Sequence, residues 1–333
     1  MMDYKMFKRL VEEQFLDYMP EKFKDYSIKI DTVSKTNRTL DALYLKAPES
    51  EKKESLPIFY VNDMYLEYEK SGDFQEAMES SVDTWMESYK YMPDSIRDFN
   101  LSSIKERVFM VLINTEQNME LLGKIPHREF FDLSIIYRYA VEIKDRAVCS
   151  FVIDSHFAER AGMTEQQLYG AAFLNTKVLL PPSVRAMDEI IREMYESKGM
   201  PEELIGAIAG EIQAQGAMYV ISNQQGCNGA VSMLYEDGLH ALAEKIGTDM
   251  YILPSSIHEV IAVSALEREL EELAEMVSEI NQSEVAVEDR LSNQVYHYDR
   301  KLRRLELATD IRDKCLGGTQ EEPRTAYGWE KSR

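Results

Sequence analysis

Apolar residues recur at helical spacing from the start of the chain. Phe7, Val11, Phe15 and Tyr18 follow Asp3, and Pro20 ends the run, which predicts a capped amphipathic helix. The period then shortens. Residues 27–33 and 40–45 alternate apolar and polar side chains on either side of Lys35, Thr36 and Asn37, as the two half-buried strands of a hairpin do. A charged surface loop is expected over 47–55 and a further strand over 58–61. Asp73 with Glu76 then caps a helix whose Phe74, Met78, Val82, Trp85 and Tyr89 share one face, and Pro93 is its stop.

Beyond Arg107 the pattern predicts a strand over 108–113, a short helix over 116–122 and strands over 131–139 and 147–153. Thr164 and Gln167 have the spacing of a capping box ahead of a helix carrying Leu168, Ala171 and Ala172. Pro181 and Pro182 break that helix, and others follow near 184–196 and 201–213. Segments 217–222 and 230–234 bracket Asn223, Gln224, Gln225, Gly226, Cys227, Asn228 and Gly229. Asn-Gly and a second glycine supply positive φ, so a hairpin is expected there.

A helix over 238–246, ended by Gly247, leads to a strand over 250–253 and then to Pro254, Ser255, Ser256, Ile257, His258 and Glu259. Leu266, Leu270, Leu273, Val277 and Ile280 form the clearest helical stripe, with glutamates on the other faces. Two heptads are too few for a coiled coil, so the stripe reads as core. Segments 293–298 and 302–307 suit a last hairpin, and the Gly, Glu and Pro content of 316–333 reads as a disordered tail. Strands and helices in this mixed order predict an α+β fold, with mixed sheets built from strand-helix-strand units and hairpins and with helices packed on them. The expected regions are 1–100, 101–215 with a helical connector, and 216–312.

A constant offset along the chain pairs Leu121 with Leu242, Lys124 with Lys245, Ile125 with Ile246, Ser134 with Ser255 and Ile136 with Ile257. If that match is a duplication, two related lobes would face each other across a cleft, where ligands usually sit.

Composition narrows the class. Of 333 residues, 38 are Lys or Arg and 59 are Asp or Glu, a net charge of -21 whose field repels phosphate backbones and anionic membranes. General nucleic-acid binding and membrane insertion are therefore not expected, and no apolar run approaches the roughly 20 residues that span a bilayer. Charges interleave with the first apolar residues, unlike a secretory signal, and Cys149, Cys227 and Cys315 stand far apart. A cytoplasmic protein is expected, without a disulfide framework or a structural metal.

Candidate chemistry centres on Ser255, Ser256, His258 and Glu259, which offer a nucleophile, a base and an orienting acid in one stretch. His258-Glu259 has the opening of a zinc-protease helix, but Ala262 stands where the second histidine belongs. A capping box or turn made by the same residues is the better-supported reading. His127, His156, His240 and His297 lack metal-ligand spacing, and no phosphate-binding glycine loop is present, so no cofactor is expected. The basic run Arg300, Lys301, Arg303 and Arg304 reads as a solvated hairpin tip. The 18 methionines and 19 tyrosines suit irregular core packing, although Met also serves adaptable binding surfaces.

Met218 to Asn223, Gly229-Ala230 and the run Asp249-Met250-Tyr251-Ile252-Leu253-Pro254-Ser255-Ser256-Ile257-His258-Glu259-Val260-Ile261 resemble an uncharacterised bacterial family, domain of unknown function 5688. Pro126 to Phe130, Leu168 to Thr176 and Leu180-Pro181-Pro182 are similar too. The resemblance implies an intracellular bacterial protein, typical of gut Firmicutes and often near mobile genetic elements. It carries over no catalytic residue.

The leading expectation is thus a non-catalytic binding or interaction protein with a protein partner. A hydrolase using His258 with Ser255 or Ser256 is the alternative, and an acidic mimic of DNA that occupies a basic protein is a third. Oligomeric state is not legible.

Overall fold

The computed structural model describes residues 1–48, 56–90, 92, 101–144, 147–214, 216–266 and 269–309. They form an α+β protein in two compact units, with the boundary between Asn100 and Leu101.

In the first unit, α1 (Tyr4–Tyr18) begins at Asp3, whose carboxylate accepts the Met6 N–H at 2.8 Å and satisfies one of the open donors of the first turn. Phe7, Val11 and Phe15 are buried along its inner face. Strands β1 (Ser27–Lys35) and β2 (Arg38–Lys46) pair antiparallel across a tight turn, where Asn37 takes φ 55°. The short β3 (Phe59–Tyr60) pairs with β2 on the other side. Helix α2 (Val61–Ser71) departs from the expected pattern, in which no helix lies between the 58–61 strand and Asp73. Val61, Met64 and Tyr68 are its buried face, and Gly72 at φ 73° closes it. Helix α3 (Phe74–Lys90) packs Trp85 parallel to Phe59 at 5.4 Å, and the indole N–H reaches the Pro57 carbonyl at 2.8 Å. Pro93, the expected stop, and most of the 47–55 loop lie outside the described residues.

The second unit holds two antiparallel sheets. One contains β4 (Val108–Asn114), β5 (His127–Phe130), β6 (Leu133–Lys144) and β7 (Ala147–Val152), in the order β4-β6-β5 with β7 also paired to β6. The strand expected over 131–139 is β6, which begins at Leu133, and an additional strand, β5, precedes it across a turn at Phe131, whose φ is 56°. Between β4 and β5 lies α5 (Met119–Leu122), preceded by α4 (Ile104–Arg107) ahead of β4. Helix α6 (Ser155–Arg160) leads to α7 (Glu165–Leu179), whose Thr164 and Gln167 form the expected capping box. Helix α7 covers the free edge of β4: Asn175 donates to the Val108 carbonyl at 3.1 Å, and the Thr176 hydroxyl accepts the Met110 N–H at 2.9 Å.

The other sheet runs β13-β12-β10-β11-β9-β8. Its strands are β8 (Pro182–Ala186), β9 (Met218–Asn223), β10 (Met250–Leu253), β11 (Val260–Ser264), β12 (Tyr296–Asp299) and β13 (Arg304–Leu307). The helix expected over 184–196 begins only after β8, as α8 (Met187–Ser197). Pro182 starts the strand, where its missing N–H costs least, and β8 is an edge strand. Helices α9 (Glu202–Ala214) and α10 (Glu236–Ile246) complete the connections, and α11 (Leu270–Ser283) buries Leu273, Ala274 and Val277 against Leu253, Val263 and Val295. The expected stripe is therefore core at its centre, whereas Leu266 precedes the helix and is exposed.

The expected hairpin partner over 230–234 is instead a 3₁₀ turn, Gly229–Leu234, all of it buried. The basic run is not free in solvent: Arg303 pairs with Glu236 and Asp237 in the first turn of α10, and Arg300 with Glu244. The two sheets share a strand order, β4-β6-β5 and β9-β11-β10. The offset between them is not constant, however. Only Phe131 and Asp132 join β5 to β6, whereas residues 254–259 join β10 to β11, so mid-strand Ile136 is matched with Ile257 in a loop. The sheets are tied together by Asp132, which accepts hydroxyl donations from Ser292 and Tyr296.

Candidate functional site

The site is built where β9 ends and β11 begins. Asn223, the last residue of β9, folds the following loop over its own side chain. Its Oδ1 accepts the N–H of Gln225 at 3.0 Å and of Cys227 at 3.3 Å, and its Nδ2 donates to the Cys227 carbonyl at 2.7 Å. Asn228 then takes φ 54°, which turns its N–H toward His258.

Gly229 follows because nothing larger fits. A Cβ there would stand 2.2 Å from Ser222 Oγ, 2.5 Å from the His258 carbonyl and 2.7 Å from the Asn223 nitrogen. That close approach lets Ser222 donate to the His258 carbonyl at 2.7 Å and the Ala230 N–H reach the Ile257 carbonyl at 3.2 Å. The loops 223–230 and 254–259 are stitched together along their length.

The ring of His258 is occupied at both nitrogens. Nδ1 accepts the Asn228 N–H at 3.1 Å, so the ring proton sits on Nε2 and points at Asp289 Oδ1, 3.2 Å away. Ser256 is buried, and its Oγ accepts the N–H of His258 at 3.0 Å, closing a turn. Ser255 is half-buried, and its N–H bonds the Leu253 carbonyl. The structure thus brings His258 to Asp289, 31 residues on, and ties Ser256 to the backbone of His258 rather than to its ring. Cys227 borders the same loop. Burial pushes its thiol up, with Arg138 pulling the other way and Asp289 adding to the rise, which keeps it protonated and weakly nucleophilic.

Glu259 lies on the other side. Val260 pairs with Ile221, and Ser222 pairs with Ser183, so Glu259, the residue before β11, comes beside Ser222 of β9 and Ser183 of β8 in a polar row. That row floors a shallow cleft of about 390 Å³, which Arg185, Ile190 of α8 and Gln225 also line. The Arg185 guanidinium is held by Glu193. The Oε1 of Gln225 is buried without a hydrogen-bond partner, and the Glu259 carboxylate has no partner among the described residues.

The profile of a family of unknown function, DUF5688, matches residues 4–300. The chain belongs to this family. Three of the stretches that carry the family resemblance, Met218 to Asn223, Gly229-Ala230 and Asp249 to Ile261, meet at this site. No curated protein and no solved structure matches the chain. His258 and Glu259 stand out in the sequence, whereas Asp289, Ser183 and Ser222 carry no local signal there, and Asn228-Gly229 predicts a hairpin turn rather than a contact with His258. Among the described residues, no group of three or more His, Cys, Asp or Glu is placed to hold a metal ion, and no helix is long and apolar enough to cross a membrane.

Proposed function

We propose that this chain is a cytoplasmic binding protein, and that its ligand seats in the cleft beside Glu259. The carrying observation is the state of His258. A general base needs a free ring nitrogen facing a nucleophile, and here the Asn228 N–H and the Asp289 carboxylate take both. The neighbouring hydroxyl of Ser256 is committed to a turn and the thiol of Cys227 is held protonated, so a hydrolase centred on Ser255, Ser256 and His258 finds little support. The cleft next to it has what a binding site needs, a concave polar surface with a half-buried carboxylate, Glu259, that has no partner among the described residues. The unpaired Cys149 and Cys227 suit a reducing compartment. The link to bacterial mobile elements rests on the family resemblance alone.

The test compares the wild-type chain with His258→Ala on ester, peptide and phosphate substrates, alongside amide NMR spectra recorded with a small-fragment library. Fragment-induced shifts at residues 183–185, 222–226 and 259, with no turnover that depends on His258, support binding. Turnover abolished by the substitution would restore the hydrolase.

A further inference from the structure

One peptide group couples the histidine to the loop that walls the cleft. The N–H of the Cys227–Asn228 peptide is held by His258 Nδ1 at 3.1 Å, and the carbonyl of the same peptide by Asn223 Nδ2 at 2.7 Å. Asn223 in turn accepts the N–H groups of Gln225 and Cys227, and Gln225 and Gly226 line the cleft. Asn228 takes φ 54°, a left-handed conformation that a residue other than glycine adopts only with local support, which these two bonds supply. The His258 ring is partly open to solvent, so a second proton can reach it. That proton goes to Nδ1, because Nε2 already carries one. Imidazolium has two donors and no acceptor. Its Nδ1–H would face the Asn228 N–H donor to donor, while Asp289, 3.2 Å from Nε2, becomes the counter-ion of the charged ring. Among the described residues, the other ionisable groups around the ring are already occupied or turned away. The Cys227 thiol is held protonated by burial, with the Arg138 guanidinium acting on it from β6. Arg290 donates to the Val285 and Gln282 carbonyls, and Glu259 lines the cleft.

We infer that His258 is a proton-operated latch: when its ring takes a second proton, the Cys227–Asn228 peptide turns its N–H away, lets go of Asn223 and loosens the Gln225–Gly226 wall of the cleft. The two states differ in the bond to the ring and in the backbone of Asn228, which relaxes as the N–H turns. The movement is confined to 225–228. Gln224 stays on the Pro181 carbonyl, Ser222 on the His258 carbonyl and Ala230 on the Ile257 carbonyl, and none of these bonds involves the ring. The latch is a property of the loop, whatever the cleft holds.

The experiment titrates the full chain, ¹⁵N-labelled, from about pH 8 to about pH 5 by NMR. It follows the His258 ring nitrogens, the Asn223 side-chain amide and the backbone amides of 225–228. One midpoint shared by all of them is expected, with the amides of Ser222 and Ala230 unmoved. His258→Asn places an amide oxygen where Nδ1 stands and has nothing to titrate, so its 225–228 amides are expected to hold their positions across the range. Asp289→Asn removes the counter-charge and is expected to move the shared midpoint to lower pH. Unchanged spectra away from the loop confirm that each variant folds; should His258→Asn not fold, the shared midpoint in the wild type and its displacement in Asp289→Asn decide. Three results each overturn the latch: a His258 ring that titrates while the Asn228 amide stays still, loop movement that persists in His258→Asn, or a ring that gains no proton across the range in the folded chain.

Discussion

Nε2 of His258 lies 3.2 Å from Oδ1 of Asp289, and this contact fixes which ring nitrogen faces the Asn228 N–H. Replacing His258 with Ala removes an acceptor from Asn228 and a donor from Asp289. A loss of about 1–2 kcal/mol in unfolding free energy is expected, measured by urea denaturation. In the wild type, ¹⁵N spectra of the imidazole should show Nδ1 without a proton, and Asp289→Asn should disturb that tautomer.

Two glycines in the same loop should respond differently. Gly229→Ala sets a methyl group against two backbone atoms and one hydroxyl at 2.2–2.7 Å, and a cost of about 3 kcal/mol is expected. Gly226, at φ 66°, has open space where a Cβ would go, so Gly226→Ala should cost only the left-handed backbone term, about 1 kcal/mol. Parallel urea midpoints separate crowding from conformation.

Stability should fall in alkali. Tyr137 donates to Glu165, and Tyr296 donates to Asp132; burial first, then the neighbouring carboxylate, pushes both phenols above the ordinary value near 10. Folded pKa values above unfolded ones mean that the native state resists losing these protons. The stabilisation is complete below about pH 10 and declines above it, by about 1.4 kcal/mol per pH unit for each phenol. Denaturation curves between pH 8 and pH 11 check this, and Tyr137→Phe should reduce the slope.

Thr164→Ala opens the capping box of α7, in which Thr164 Oγ1 accepts the Gln167 N–H and Gln167 Oε1 accepts the Thr164 N–H. About 1 kcal/mol of stability should be lost, read as a lower thermal midpoint. Thr164→Ser should restore most of it.

That capping box was legible because Thr164 and Gln167 act on their own neighbours. The same holds for α1 and α3, where Phe7, Val11, Phe15, Met78 and Trp85 repeat with the helix period and end in the core. What was not legible depended on distant partners. Residues 230–234 have the apolar content of a strand, yet Gly229 is pressed between Ser222 and His258, and the chain coils into a 3₁₀ turn instead. Val184, Arg185 and Ala186 look helical in sequence, but pairing with β9 draws them into a sheet edge. His258 and Glu259 stood out as adjacent titratable residues; that they serve opposite faces, one fastening a loop and the other flooring a cleft, follows from the register of β11 against β9.

The strand order itself governs assembly of the second unit. In each sheet the strand that emerges last of its trio, β6 or β11, occupies the middle place. A chain growing from its N-terminus therefore exposes β9 and β10 with no ladder between them until residues 260–264 arrive. During that interval both strands offer open backbone edges. A nascent chain whose residues 250–253 have cleared the ribosome while 260–264 have not would hold both open edges at once, with Asn228 in place to meet the histidine loop and Asp289 still to come.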